Sequence, residues 1–300
     1  MSDIQKKISS TKNIQKITKA MQTVAASRMK RSQEKALSGR PFALESLKLL
    51  RNISEHTRKN HLLFQKPKTI KRICCLVVTT NKGLCGGLNA NVFSLAEKYI
   101  QKQKQLGRKI DLMVFGKKGE DFFKKREYCL LENKYLVGDE IFLSDIRPVA
   151  KDIIKWFLEK KYDSVQIIYS DFLSTFQQEA VKRQILPVEV GKIEEIIQKY
   201  LKNVQNQAKV DKSNRKHYYR YKIEPSEKDV LDVLFDNLIR IFLYQAFVES
   251  RASEHSARMM AMKNASDNAD EIIKKLNLEY NKIRQSKITQ EIAEVSAAAL

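Results

Sequence analysis

Leu234, Leu238, Ile241, Gln245, Val248, Ala252, His255, Met259, Met262, Ser266, Ala269, Ile273, Leu276, Tyr280 and Ile283 follow one another at alternating steps of four and three. Twelve of the fifteen are apolar. Such a repeat, sustained over about seven heptads, predicts a coiled-coil seam on one long helix. No Gly follows Gly191 and no Pro follows Pro225, so nothing interrupts that helix after residue 226. Ser226 is placed to cap it, with Asp229 as the capping-box acid. A helix of about 70 residues spans about 100 Å, roughly three times the diameter of a small domain, and has to project. The repeat stops at Ile283, where Lys287 and Gln290 take the next positions, yet good helix formers continue. The helix is expected to outrun its partner.

The other end of the chain is the expected partner. Residues 1–38 lack Gly and Pro, and Ile14, Ile17, Met21 and Val24 fall at 3-4-3 spacing, with Ile4 and Ile8 outside that register. Gly39-Arg40-Pro41 is expected to break or kink this helix, with a second helical piece over 42–59. If residue 1 faces residue 283 in an antiparallel pair, facing residue numbers add to about 284. Met21 then lies near Met259 and Met262.

Between the two ends, apolar runs alternate with amphipathic stretches. "RICCLVVTT", "KIDLMVFG", "SVQIIYS" and "STFQQEAVKRQILPVEV" read as strands; "NANVFSLAEKYIQKQKQLG", "KKGEDFFKKRE" and "SDIRPVAKDIIKWFLEKK" read as helices. This alternation predicts an open, largely parallel α/β sheet. The expected fold class is therefore α/β plus a long antiparallel coiled coil. Residues 1–65 form its N-terminal helical segment, 66–222 a central open (Rossmann-like) α/β domain with a basic connector over 192–222, and 223–300 its long C-terminal helix.

Composition agrees with a helix-rich interaction protein: Gly and Pro number only 9 and 5, and charged residues make up 30%. The start "MSDIQKKISSTKNIQKITKA" has no apolar core or small-residue cleavage site, so no secretory signal is expected. The most apolar later run carries Asp232, Asp236, Arg240 and Gln245, too polar for a membrane span. A soluble, cytosolic chain is expected. The net charge of +21 points to an acidic partner. That charge is concentrated: residues 1–35 hold nine Lys/Arg against Asp3 and Glu34, and residues 192–222 hold nine against three acids. The basic N-terminal helix lacks interleaved aromatics, zinc-finger spacing or an RNA-binding signature, which favours protein docking over nucleic acid.

Candidate chemistry is sparse. "TTNKGLCGGLNANVF" follows the first strand and resembles a phosphate cradle, but neither Lys nor Ser/Thr follows Gly86-Gly87, and Gly83, Gly86 and Gly87 give GxxGG rather than GxGxxG. The turn is expected to be structural. His56, His61, His217 and His255 show no metal-ligand spacing, and no Gly-x-Ser-x-Gly elbow occurs. Cys74, Cys75, Cys85 and Cys129 form neither a CxxC motif nor a disulfide framework and are expected to be reduced structural thiols. No catalytic residue, cofactor site or metal site is assigned.

Three segments carry a resemblance that covers the chain essentially end to end: "NIQKITKAMQTVAASRM" (13–29), "GLCGGLNANV" (83–92) and "ESRASEHSARMMAMKNASDNADEIIKKLNLEYNKIRQSKITQEIAEV" (249–295). With these, the sequence resembles the gamma subunit of F-type rotary ATP synthase. The resemblance implies a non-catalytic central-stalk rotor. Its paired terminal helices form a shaft inside a hexamer of alpha and beta subunits, and its α/β domain sits beside epsilon on the membrane c ring. The shaft couples ion-driven ring rotation to ATP synthesis or hydrolysis at the beta subunits. The implied location is the cytoplasmic face of the bacterial cell membrane, peripheral and held there only through the complex.

By position in the family motifs, Met21, Arg258, Arg284, Gln285, Thr289 and Glu291 are implied to contact the beta subunit, and Glu224 the c ring. The small residues of the "SAAAL" end suit a tip turning in a close-fitting sleeve. Three departures stand out: Ile223 replaces a common Tyr before Glu224, the tail "EIAEVSAAAL" is shorter than usual, and the cysteine-bearing regulatory insertion of chloroplast members is missing. Thiol control is not expected.

Overall fold

The computed structural model describes residues 2–57, 69–131, 137–188 and 227–298, together with the single positions 63, 65, 67 and 135. Two long helices dominate. α1 spans Ser2–Thr57 and the last helix, α5, spans Glu227–Ala298, 72 residues or about 110 Å. They lie antiparallel. Gln5 Nε2 donates to Tyr280 Oη at 2.9 Å and Gln15 Nε2 to Asp270 Oδ1 at 3.4 Å, ten residues forward on one helix answering ten back on the other. Both pairs add to 285, one residue from the expected register.

All fifteen seam positions of α5 are buried or half-buried, whereas residues 284–296 are exposed. The end of the heptad repeat therefore marks where α5 runs past the start of α1. The proposed cap, Ser226 with Asp229, lies outside the residues whose side chains are described, as does the 192–222 connector.

Two expectations for α1 are corrected. The helix continues through Gly39-Arg40-Pro41 to Thr57. Proline removes one backbone hydrogen bond at a cost of about 3 kcal/mol, which a helix of this length absorbs without ending. The second correction concerns its facing stripe. Ile14, Ile17 and Val24 are 52%, 60% and 53% exposed. The stripe toward α5 is instead Ile4, Ile8, Thr11, Gln15, Thr18, Gln22, Ala25 and Met29, all buried or half-buried and in unbroken 4-3 order. Small and polar side chains occupy this seam because the helices meet closely and Gln15 finds a partner across it.

Between these helices lies a four-stranded sheet, β1 (Arg72–Val78), β2 (Lys109–Phe115), β3 (Ser164–Phe172) and β4 (Gln178–Leu186), in the order β2-β1-β3-β4. The first three run parallel and β4 closes one edge antiparallel to β3. Period-two alternation sorts the buried residues onto two faces. Cys75, Val77, Leu112, Val114 and Ile168 pack with α2 (Leu88–Gln105) and Phe123 of α3 (Lys117–Lys124). Leu76, Val78, Met113, Phe115 and Ile167 pack with α4 (Leu143–Leu158) and with Phe235, Leu243 and Phe247 of α5. Phe115 and Phe247 meet edge to face at 4.8 Å. α5 is thus a core helix of the α/β layer over its first half and half of a helix pair over its second.

Candidate functional site

In an open sheet of this type, the natural ligand crevice lies where strand order reverses, at the carboxyl ends of the central strands. Here that place is between β1 and β3, and α5 fills it. Ser253 and Ser256 are fully buried; their hydroxyls donate to the Ser170 and Thr175 carbonyls at 3.0 and 2.5 Å. Small side chains at 253 and 256 let the helix approach the strand ends this closely.

The glycine turn closes over the other side of α5. Gly86 has φ +58° and Leu84 φ +62°, so the turn needs the left-handed region twice but uses glycine for only one of them. Asn89 in α2 holds its base: the side chain donates to Thr80 Oγ1 at 2.8 Å and accepts from Thr80 N at 3.3 Å. Toward α5 the turn presents carbonyls. Arg258 donates through Nε and Nη2 to Gly83 O at 3.3 and 3.2 Å, and through Nη2 to Lys82 O at 3.3 Å. A face of carbonyl acceptors holding a guanidinium is the reverse of a phosphate cradle, which needs free N–H groups.

A chain of charges extends the junction. Glu254 accepts from Arg258 at 2.8 Å and from Arg251 at 2.6 Å, all three at or below 9% exposure. Arg251 also reaches Gly138 O at 2.9 Å. Next along the same turn, Asp139 receives Arg28 of α1 at 3.3 Å and Lys82 of the glycine turn at 3.4 Å. Partial burial opposes its charge, but Lys82, Arg251 and Arg28 outweigh that and hold the carboxyl below its usual range. One carboxylate therefore ties together α1, the glycine turn and the 138–140 turn.

Deeper in, Glu249 of α5 accepts from Tyr169 Oη at 3.0 Å and from Gln245 at 3.1 Å, beside Asp171 of β3, which is paired with Arg183 of β4 at 2.8 Å. Burial first, and then the neighbouring Asp171, push the Glu249 carboxyl up to about 7. Two buried carboxylates facing one guanidinium favour retaining a proton between them.

Several expected site residues fall in this picture. Met21 is half-buried on α1, and the observed register sets it level with Asn264, within about a turn of Met262. Arg258 is near it along the axis but is engaged by the glycine turn. Arg284, Gln285, Thr289 and Glu291 stand exposed on the unpaired end of α5, where Thr289 Oγ1 bonds only back to Gln285 O at 2.9 Å. Glu224 lies outside the described residues. Sequence reasoning missed Glu249, Arg251, Glu254 and Asp139. The signal for the first three was present in "ESRASEHSAR", where serines and oppositely charged residues at i, i+3 and i+4 crowd a stretch too polar for an ordinary core.

Cys74 and Cys75 are fully buried and their thiols are pushed up by burial, Cys75 to about 12. Cys85 is also buried, but Cys129 is exposed, correcting the expectation of four structural thiols. Among the described residues no cluster of three potential metal ligands occurs, and no helix is long and apolar enough to cross a membrane.

The sequence matches the ATP synthase family model over residues 1–300. It is 37% identical to the ATP synthase gamma chain of Chloroflexus aurantiacus over 300 residues, covering 99% of this chain and 97% of that one. The gamma chain of Legionella pneumophila strain Corby is likewise 37% identical, with 99% and 98% covered. Among solved structures, the fold is similar to a chain of the Tetrahymena thermophila mitochondrial ATP synthase central stalk and c ring (TM-score 0.56, 24% identity, covering 83% of this chain and 99% of that one). It is also similar to one from the Euglena gracilis mitochondrial ATP synthase (TM-score 0.59, 17% identity, 99% and 92% covered). None of these relatives supports a nucleic-acid reading.

Proposed function

This chain belongs to the ATP synthase gamma-chain family, and from that premise we propose that it is the central-stalk rotor of a bacterial enzyme, carrying torque between a membrane c ring and catalytic alpha and beta subunits. It is a non-catalytic subunit: ATP is made and hydrolysed by its partners, and its own contribution is mechanical.

The observation that carries this reading is the unpaired end of α5. Residues 284–296 continue the helix for about 20 Å beyond the start of α1, every one exposed. Ile288, Ile292 and Val295 form an apolar stripe there, 47%, 62% and 70% exposed. A lone helix with a bare apolar stripe is unfavourable in water and suits a tip enclosed by a close-fitting sleeve.

The rest of the molecule suits a shaft. In this reading residues 1–65 and 223–300 form the antiparallel coiled coil and 66–222 the foot, and α5 belongs to both. Phe235, Leu243 and Phe247 bury it in the α/β core, while Ser253, Ser256 and Arg258 bind it to the strand ends and the glycine turn. A torque applied to the foot therefore enters α5 through several fixed contacts rather than through one hinge. Met21, Arg284, Gln285, Thr289 and Glu291 would meet the beta subunits as they change shape, and Glu224 the ring. Arg258 would act from its bonded position under the glycine turn. The foot sits beside epsilon, and the chain is peripheral, reaching the cytoplasmic face of the membrane only through the complex.

Reconstitution tests the assignment. Mixed with its cognate alpha and beta subunits, the full chain should yield a stable complex that hydrolyses ATP, and truncation at residue 283 should weaken assembly or coupling. Failure of the full chain to join alpha and beta would overturn the proposal.

A further inference from the structure

The β3–β4 ribbon is tied to α5 at three positions of one helix face, Glu249, Ser253 and Ser256, spaced i, i+4 and i+7. Tyr169 Oη donates to Glu249 at 3.0 Å, Ser253 Oγ to the Ser170 carbonyl at 3.0 Å, and Ser256 Oγ to the Thr175 carbonyl at 2.5 Å. The two serine hydroxyls stay neutral at ordinary pH. Glu249 is the titratable position of the three, so the strength of its tie can change with protons.

The surroundings make that change large. Glu249 is 4% exposed, and Gln245, one turn back on α5, donates to its second oxygen at 3.1 Å. Across the interface its carboxyl lies within hydrogen-bonding reach of Asp171 of β3, itself 3% exposed. Two carboxyl groups hydrogen-bond to one another only with a proton between them. The guanidinium at this place is Arg183 of β4, bound to Asp171 at 2.8 Å and 5.5 Å from the Tyr169 ring. Other charges are turned elsewhere. Arg251, Glu254 and Arg258 of α5 pair toward the 138–140 and glycine turns, His255 faces α1, and Lys35, level with this turn on α1, is turned to Glu140. α4 adds the apolar Ile146, Val149 and Ile153 to the same core. One cation therefore stands against two buried acids, and burial together with Asp171 pushes the Glu249 carboxyl up to about 7.

We propose that Glu249 and Asp171 form a proton-linked latch between α5 and the β3–β4 ribbon. With one proton shared between the two carboxyls, the ribbon is held against the helix at all three ties. When the proton leaves to solvent past Arg183, whose side chain is 20% exposed, two like charges face each other and the ribbon rests on the serine ties alone. The latch lies where the long helix leaves the α/β layer, so protons set how firmly helix and layer are joined. Because it belongs to the isolated chain, it stands whether or not the chain is a rotor.

Hydrogen-exchange mass spectrometry of the full-length chain between pH 5 and pH 9, with rates corrected for the intrinsic pH dependence of exchange, tests the latch. Protection of residues 170–178 should fall at least about tenfold as the pair ionises, and by more than protection of residues 73–77 in the central strand β1. Glu249→Gln removes the titrating proton and should flatten the fall. Arg183→Gln removes the cation and should carry the fall on to higher pH, a second readout should the Glu249 variant fold poorly. Constant wild-type protection would overturn the proposal. So would the same fall in Glu249→Gln, a fall ending at the same pH in Arg183→Gln, or an equal fall in β1, which would make the loosening global.

Discussion

The Arg258 guanidinium and the Gly83 carbonyl, 175 residues apart in sequence, meet at 3.2 Å. This contact joins the glycine turn to α5 and fixes where the long helix leaves the α/β layer. The same guanidinium neutralises Glu254, so its loss would free a loop and leave a buried carboxylate with Arg251 as its remaining partner.

Arg258→Gln should therefore lower stability by about 2–3 kcal/mol and speed hydrogen exchange at the amides of residues 81–87. Urea unfolding and exchange mass spectrometry read the two effects separately. Unchanged exchange in the turn would show that Asn89 and Thr80 hold it without help from α5.

Glycine is required at one position of this layer far more than at another. At Gly116, φ is +99° and an added Cβ would lie 2.4 Å from the Thr79 carbonyl oxygen. At Gly107, φ is +71° but the space is open. Gly116→Ala should cost at least about 3 kcal/mol or prevent folding, and Gly107→Ala about 1–2 kcal/mol. Thermal melts of both variants check the contrast; equal losses would contradict it.

Two buried groups give opposite pH slopes. Glu249 binds its proton more tightly folded than unfolded, so its contribution is full below about pH 4.3 and is lost as pH rises through about 7. His255 binds its proton less tightly folded, so its contribution is present above about pH 6.5 and is lost as pH falls toward about 4. The wild-type slope blends the two. Glu249→Gln isolates the first: relative to this variant, wild type should lose stability from pH 5 to 7 and then level off. A pH-independent difference between their urea midpoints would remove Glu249 from the account.

Met21→Lys places a charge at a half-buried position on α1, level with Asn264. Assembly with alpha and beta should survive, because the seam residues Thr18, Gln22 and Ala25 are untouched. ATP turnover should continue while ion pumping falls, measured as the ratio of the two rates in reconstituted vesicles. Wild-type pumping efficiency would count against Met21 as a beta contact.

How much of this was legible depended on whether chemistry or geometry carried the signal. The α5 seam could be read because its 4-3 repeat is mostly apolar, and its end at Ile283 located the unpaired tip. The α/β layer followed from runs such as "ICCLVV" and their alternation with amphipathic stretches. The facing stripe of α1 was misread because the middle of its seam is Thr11, Gln15, Thr18 and Gln22 while Ile14 and Ile17 face outward; a hydrophobic count selects the wrong face. The junction was hidden for another reason. Arg258 and Gly83, or Glu249 and Asp171, are brought together only by the path of the chain, and nothing local marks a charged residue as buried.

As a rotor, this chain should turn inside its partners. Cys129 is its only exposed cysteine and lies on the α/β layer, a natural point to attach an optical probe. With the chain assembled into an immobilised alpha–beta complex and supplied with ATP, the probe should rotate persistently in one direction and stop when ATP is withdrawn. ATP hydrolysis by the assembled complex with the probe showing only undirected fluctuation would contradict the account.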